Sequence, residues 1–108
     1  MGITLTHIIQ NYVDSSNRHD VQSILSCFSD DAVVHDEAET LHGKTAVEDW
    51  ITKTIAKYKF HFNPISIKQG AAEIVMAVEV SGTFEGSPVT LDYHFGIEKN
   101  KIVSLAID

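Results

Sequence analysis

The feature that most constrains this chain is a change in the spacing of its apolar residues near position 60. Before it the spacing is helical. Leu5, Ile8, Ile9, Tyr12 and Val13 fall at i, i+3, i+4, i+7 and i+8, one apolar helix face, with Thr4 or Thr6 as its cap. Ser15 to His19 is a polar break, after which Val21, Ile24, Leu25 and Phe28 repeat the spacing behind Asp20, a favoured N-cap residue. Ser29-Asp30-Asp31 reads as a turn, Ala32 to His35 as a short strand, and Asp36 to His42 as a polar loop leading to Gly43. Val47, Trp50, Ile51, Thr54, Ile55 and Tyr58 then mark a third helix of about four turns.

Beyond residue 60 the period is two. His61 to Lys68 reads as a strand in which Pro64 suits an edge or a bulge, and Gln69-Gly70 turns the chain. The next strand puts Ile74, Met76, Val78, Val80 and Phe84 on one face, with Val75, Ala77, Glu79, Ser81 and Thr83 on the other. Glu85-Gly86-Ser87-Pro88 forms a hairpin loop before Leu91, Tyr93, Phe95 and Ile97, and Lys99-Asn100-Lys101 leads to a last strand from Ile102 to Ile107. Helices followed by an antiparallel meander define an α+β layout. Strands with one apolar face must bury it against the helices. The expected object is a cone: a curved antiparallel sheet wrapped around three N-terminal helices, enclosing a pocket, as one domain over residues 1–108.

Composition narrows the partners. With 15 acidic and 8 basic residues the formal charge is −7, a poor electrostatic match for phosphate backbones or anionic lipid, so neither nucleic acid nor a membrane surface is expected. The single cysteine, Cys27, forms no intramolecular disulfide and no multi-cysteine metal site, and its apolar neighbours make it a core residue. No signal peptide and no bilayer-length apolar run is evident, which predicts a cytoplasmic protein. The mixed outer sheet face, with Val75, Ala77, Glu79, Ser81, Thr83, Asp92 and His94, predicts a homodimer through that face.

Three stretches carry a resemblance: Gln10-Asn11-Tyr12-Val13, then Phe28-Ser29-Asp30-Asp31-Ala32-Val33-Val34-His35-Asp36, then Leu41-His42-Gly43-Lys44 before a helix. Together they resemble the nuclear transport factor 2-like superfamily, and within it the ketosteroid isomerases and SnoaL-like proteins, over about residues 5 to 107. The resemblance implies three roles. Tyr12 lies where the isomerases place the tyrosine that hydrogen-bonds the substrate oxygen, and Asp36 where they place the aspartate that moves the proton. Aligning His94-Phe95 with a His-Phe pair of that family puts Tyr93 where a second, protonated aspartate donates to the oxyanion. Tyr93 for an acid, Glu37 for a proline and a shorter following loop depart from the pattern and weigh against the specific steroid reaction. Gly82 stands where the isomerases carry a large aromatic, which would widen the pocket floor. The aspartate–arginine–aspartate relay of the limonene epoxide hydrolases is excluded, because the only arginine, Arg18, lies in the break between the first two helices.

Proton abstraction needs a carboxylate in an apolar pocket beside donors aimed at a developing oxyanion. Asp36 as base with Tyr12 and Tyr93 as donors meets that need, and His35, Trp50, Met76, Val78, Gly82, Phe84 and Phe95 are the expected substrate contacts. The substrate expected is a small hydrophobic ketone or polyketide-like molecule. No cofactor is expected, and no metal: adjacent strand residues His35 and Asp36 point to opposite faces, and no His-Glu-x-x-His spacing occurs. Two other readings stay open, a binding or dimerisation module without turnover, and a dehydratase-like site using His35 or His61. Lys57-Tyr58-Lys59-Phe60-His61 reads as a solvated helix end.

Overall fold

The computed structural model describes residues 6–71 and 73–108. Thr4 and Leu5, expected to open the first helix, lie outside the described residues. Helix α1 spans His7–Asn17, with Thr6 at its N-cap position, and buries Ile8, Ile9, Tyr12 and Val13. Helix α2, Val21–Ser26, starts where Asp20 accepts a hydrogen bond from the Ser23 amide at 3.2 Å, as a capping aspartate should. Helix α3, Lys44–Tyr58, begins after Gly43 and ends on Lys59 in the left-handed conformation.

Six strands follow the helices or interrupt them: β1 Phe28–Asp36, β2 Glu39–His42, β3 His61–Gln69, β4 Ile74–Ser81, β5 Val89–Glu98 and β6 Lys101–Ile107. They form one sheet in the order β2-β1-β6-β5-β4-β3. This is an α+β cone, with one difference from the expected all-antiparallel sheet. Strand β1 pairs with β6 in parallel, Val34 opposite Leu105 and His35 opposite Ala106. The C-terminal strand thereby joins the meander to the helical half of the chain, a long-range pairing that no local pattern encodes.

Two readings of the first half are corrected. Ser29-Asp30-Asp31 is not a turn but part of β1, where the register to β6 shifts between Phe28 and Val33. The stretch 36–42 is not a loop: β1 and β2 form a hairpin, Asp36 opposite Glu39, around Glu37 and Ala38, both at positive φ. That geometry fits a two-residue hairpin turn, but glycine, asparagine or aspartate normally announces it. In the second half Pro64 lies on the edge strand β3, beside a register shift between Pro64 and Ser66. A missing amide donor costs least there.

The core fills the concave side of the sheet. Phe28, Ala32 and Val34 of β1, Met76 and Val78 of β4, Tyr93 and Phe95 of β5, and Ile102 and Leu105 of β6 meet Ile9, Tyr12, Ile24, Val47 and Ile51 of the helices. Gly82 marks where β4 leaves the sheet against the end of α3. The neighbouring Thr83 amide donates to the Tyr58 carbonyl at 2.9 Å. A Cβ at position 82 would overlap that carbonyl oxygen and press on the Phe84 ring. Glycine is needed here for close approach. Gly82→Ala is therefore expected to cost about 1–3 kcal/mol, the usual penalty for overpacking. A urea titration checks this, and an unchanged midpoint would refute the steric account.

Candidate active site

Strand alternation decides which way the first candidate points. In β1 the side chains of Ala32 and Val34 are buried, so Asp36, two residues on, faces the same side, while Val33 and His35 face the other. His35 is exposed and its Nδ1 lies 3.0 Å from the Thr40 hydroxyl of β2. It does not reach the pocket, and neither does exposed His61. The pleat that turns Asp36 inward turns His35 outward.

Asp36 opens into a cavity of about 350 Å³ between the concave sheet, α1 and α3, within the usual range for small-molecule sites. Its Oδ2 accepts a hydrogen bond from the Trp50 indole nitrogen at 2.9 Å. Trp50 reaches it from the middle of α3. Burial is the largest influence on this carboxyl and pushes it above the ordinary aspartate range. The indole N–H pulls the other way, and the nearby charges of Glu37 and Glu39 reinforce burial.

Tyr12 and Tyr93 form the inner wall. Their rings lie 6.5 Å apart and are packed among Phe28, Phe62 and Phe95. Burial drives both hydroxyls far above the ordinary tyrosine range. For Tyr12 the Asp36 charge adds to this and the Ser16 hydroxyl, one helical turn on, opposes it. For Tyr93 the neighbouring Tyr12 and then Asp36 add to burial. Both tyrosines are therefore neutral O–H donors at any physiological pH.

The rest of the lining departs from expectation. Trp50 and Phe84 are at the cavity. Met76, Val78 and Phe95 are not, being completely buried in the layer beneath it, and Gly82 serves the close approach described above. Sequence reasoning missed Tyr58, Phe60 and Phe62. Tyr58 continues the apolar face of α3 seven residues after Ile51, and Phe60 stacks on Phe62 at 4.6 Å, so the rings of this segment wall the cavity while Lys57, Lys59 and His61 stay exposed as at a solvated helix end. Glu37, missed as well, accepts a hydrogen bond from the Tyr58 hydroxyl, while the Lys57 ammonium lies 3.9 Å from the same carboxylate and over the Tyr58 ring. The hairpin turn is thus fastened to the end of α3 at the cavity's rim.

Among the described residues, one group has the make-up of a metal site: Asp92, His94 and Asp108, on adjacent strands β5 and β6. Each histidine nitrogen already has a carboxylate, Glu73 at 3.3 Å and Asp108 at 3.0 Å. Burial alone would lower the imidazole, but these two carboxylates outweigh it and raise its basicity. Asp92 and Asp108 are exposed and His94 is half-buried, Asp108 borders the cavity described above, and with both imidazole nitrogens already paired nothing in the group calls for an ion.

A curved sheet closed over helices, with a carboxylate and two buried tyrosines facing one cavity, defines the class of cone-shaped α+β pocket proteins. The family model of the SnoaL-like domain matches residues 9–105, and the chain belongs to that family. A candidate polyketide cyclase from Sinorhizobium meliloti is 31% identical, with a TM-score of 0.92 over 96% of this chain and 95% of that one. A protein of ketosteroid isomerase-like fold from Catenulispora acidiphila, solved with trimethylamine, is 15% identical with a TM-score of 0.84 over 97% of this chain and 86% of that one. The epoxide hydrolase/cyclase-like enzyme of pyran-ring formation in salinomycin is 17% identical with a TM-score of 0.77, covering 93% and 85%. The last two likenesses establish the fold alone. No curated protein sequence matches the chain. Among the described residues no helix is long and apolar enough to cross a membrane.

The Asp36 environment has a measurable signature. Because its folded-state pKa is raised, the stability linked to its protonated form is complete below the unfolded value of about 3.9 and is lost as pH rises through the folded value. Asp36→Asn removes that loss, so the variant should melt at or above the parent temperature at neutral pH, with the gap closing as pH falls towards about 4. A variant that melts lower would contradict the burial assigned to the carboxyl. In Trp50→Phe the indole donor is gone, and the carboxyl carbon of Asp36 should titrate at still higher pH by NMR.

Proposed function

We propose that this chain is a cofactor-independent enzyme of the isomerase or cyclase type that moves a proton on a small hydrophobic ketone or polyketide-like substrate. The observation that carries this reading is the pairing of a half-buried, indole-anchored carboxylate with two buried, neutral tyrosines on one largely apolar cavity. The Trp50 bond holds Oδ2 of Asp36, which makes Oδ1 the oxygen that acts as base. Oδ1 takes the proton from the carbon beside the substrate carbonyl, and the C–H electron pair moves into the enolate with its charge on oxygen. The Tyr12 hydroxyl, and Tyr93 beside it, donate to that oxygen. Asp36 then returns the proton to another carbon or to the same one, or the enolate carbon attacks a second carbonyl and closes a ring, the C=O π electrons moving to oxygen and the resulting alkoxide taking the proton held by Asp36. A carboxylate raised by burial is a better base for this step than a solvated one. The similarity to the Sinorhizobium protein supports a polyketide-like substrate.

The test is solvent deuterium exchange, followed by NMR, on unsaturated steroid ketones and fused-ring polyketide-like ketones. Asp36→Asn should lose about 10²–10⁴-fold in rate, the range of general-base catalysis, with folding intact. Tyr12→Phe should lose on the order of 10²-fold, as for an oxyanion donor. The acid limb of the pH–rate profile should lie above the ordinary aspartate value and move higher in Trp50→Phe. Undiminished exchange in Asp36→Asn would end the assignment. A second reading, binding without conversion, draws on the same cavity and on the Catenulispora neighbour, whose structure holds trimethylamine. It predicts ligand-induced thermal shifts with no exchange on any substrate.

We also propose that two copies pair through the outer sheet face. In support, Val75, Ala77 and Val103 come partly to the surface there. Sedimentation equilibrium should give twice the 11.9 kDa chain mass, and a monomer at micromolar concentration would refute it.

A further inference from the structure

The charges and rings around the cavity select the kind of head group a ligand carries. Trp50, Tyr58, Phe60, Phe62 and Phe84 present aromatic surface to it, together with the inner tyrosines. Four acidic residues, Asp36, Glu37, Glu85 and Asp108, line it as well, while among the described residues no lysine, arginine or histidine does. Of the nearby bases, Lys57 lies beside Glu37 at the rim, and His94 Nε2 lies 3.0 Å from the Asp108 carboxylate. Glu85, in the exposed loop between β4 and β5, has no cationic partner among the described residues.

A cavity built this way penalises a carboxylate or phosphate. It favours a group that is positive, weakly hydrated and able to lie against π-faces. We infer that the ligand of this cavity is a hydrophobic organic cation, an amine protonated at neutral pH or a quaternary ammonium, whose charged end lies between Tyr58, Phe84 and the Glu37 and Glu85 carboxylates. This deepens the reading above and rests on it. The carbonyl end lies inward, at Asp36, Tyr12 and Tyr93, and the ammonium lies at the rim, so the substrate class becomes an amino ketone. The whole-chain charge of −7 draws such a molecule in and repels acidic analogues. Tyr58 is central to the arrangement. Its hydroxyl is held by Glu37 and its ring meets Phe84 edge-on at 5.5 Å, so one hydrogen bond orders both an aromatic face and a carboxylate at the same point.

The inference is tested with three phenols that differ only at the para position: (4-hydroxyphenyl)trimethylammonium, 4-tert-butylphenol and 4-hydroxybenzoate. The first two share a shape and differ in charge, and the shared phenol addresses Asp36 and the tyrosines in each. By calorimetric titration at low salt, the ammonium compound should bind about tenfold more tightly than the tert-butyl compound, and the benzoate most weakly. Glu85→Gln and Glu37→Gln should each narrow the preference. An ammonium preference unchanged in both variants would report phenol acidity and overturn the inference, as would equal or tighter binding of 4-tert-butylphenol. If 4-tert-butylphenol alone binds, with an affinity that shifts in Asp36→Asn, the cationic ligand is refuted while the proton-transfer reading stands. If none of the three binds, both fall.

Discussion

The parallel pairing of β1 with β6 holds the candidate site together. Among the described residues it is the only place where the helical half of the chain enters the sheet built by the second half, and its register sets what faces what. His35 is opposite Ala106, so Asp36 lies one step further, level with Ile107. Ile107 is opposite Tyr93, and Tyr93 is opposite Met76. One row across the sheet thus carries Asp36 and Tyr93, the proposed base and a proposed donor, two strands apart or roughly 10 Å from backbone to backbone. That leaves room for a planar ring between them. A slip of one residue in this pairing would place His35 in the row and Asp36 outside it, because side-chain direction reverses at every step.

The same geometry forces an electrostatic compromise. An aspartate at the end of a buried row loses hydration, and the fold returns one strong hydrogen bond, from Trp50, instead of a full shell. The indole fixes one oxygen of a carboxylate that remains at the cavity, an arrangement that suits the proposed base. The tyrosines receive the opposite treatment. They are enclosed by rings that cannot stabilise a phenolate, so they keep their protons. Two acids of different strength are pushed the same way by burial, and at neutral pH they end on opposite sides of ionisation. The roles proposed for each rest on that split.

Much of this was legible in the sequence, and what was not had physical reasons. The change of period from helical to two reflects how each element buries one face, so three helices and the meander could be read locally. The resemblance brought Asp36, Tyr12 and Tyr93 together before any coordinate did. Periodicity gave the inward face of β4 and β5 but not depth. Met76, Val78 and Phe95 have the right orientation and lie beneath the cavity, because curvature of the sheet decides which inward residue reaches open space. The Glu37–Ala38 turn carries none of the residues that usually mark positive φ, so hairpin β1–β2 was hidden. Phe60 and Tyr58 were obscured by the lysines between and before them. Those lysines point to solvent at a helix end while the rings point in, a division that charge counting averages away.

Glu37 shows how a departure from a family pattern acquires a use. A proline after the base would fix the backbone but could accept no side-chain hydrogen bond. Glutamate at a positive φ accepts backbone strain, and its carboxylate, anchored by Tyr58 and Lys57, ties the turn to the end of α3. The hairpin that presents Asp36 is therefore held from two helical turns of α3 at once, by Trp50 on the aspartate and Tyr58 on the glutamate. Position 50 and position 58 are eight residues apart, close to two full turns, so both lie on one face of α3. The rim and the base are set by one rigid element. A charge placed at the rim is consequently also a charge near the base, and a ligand that neutralises Glu37 will alter the basicity of Asp36 through the same short segment of chain.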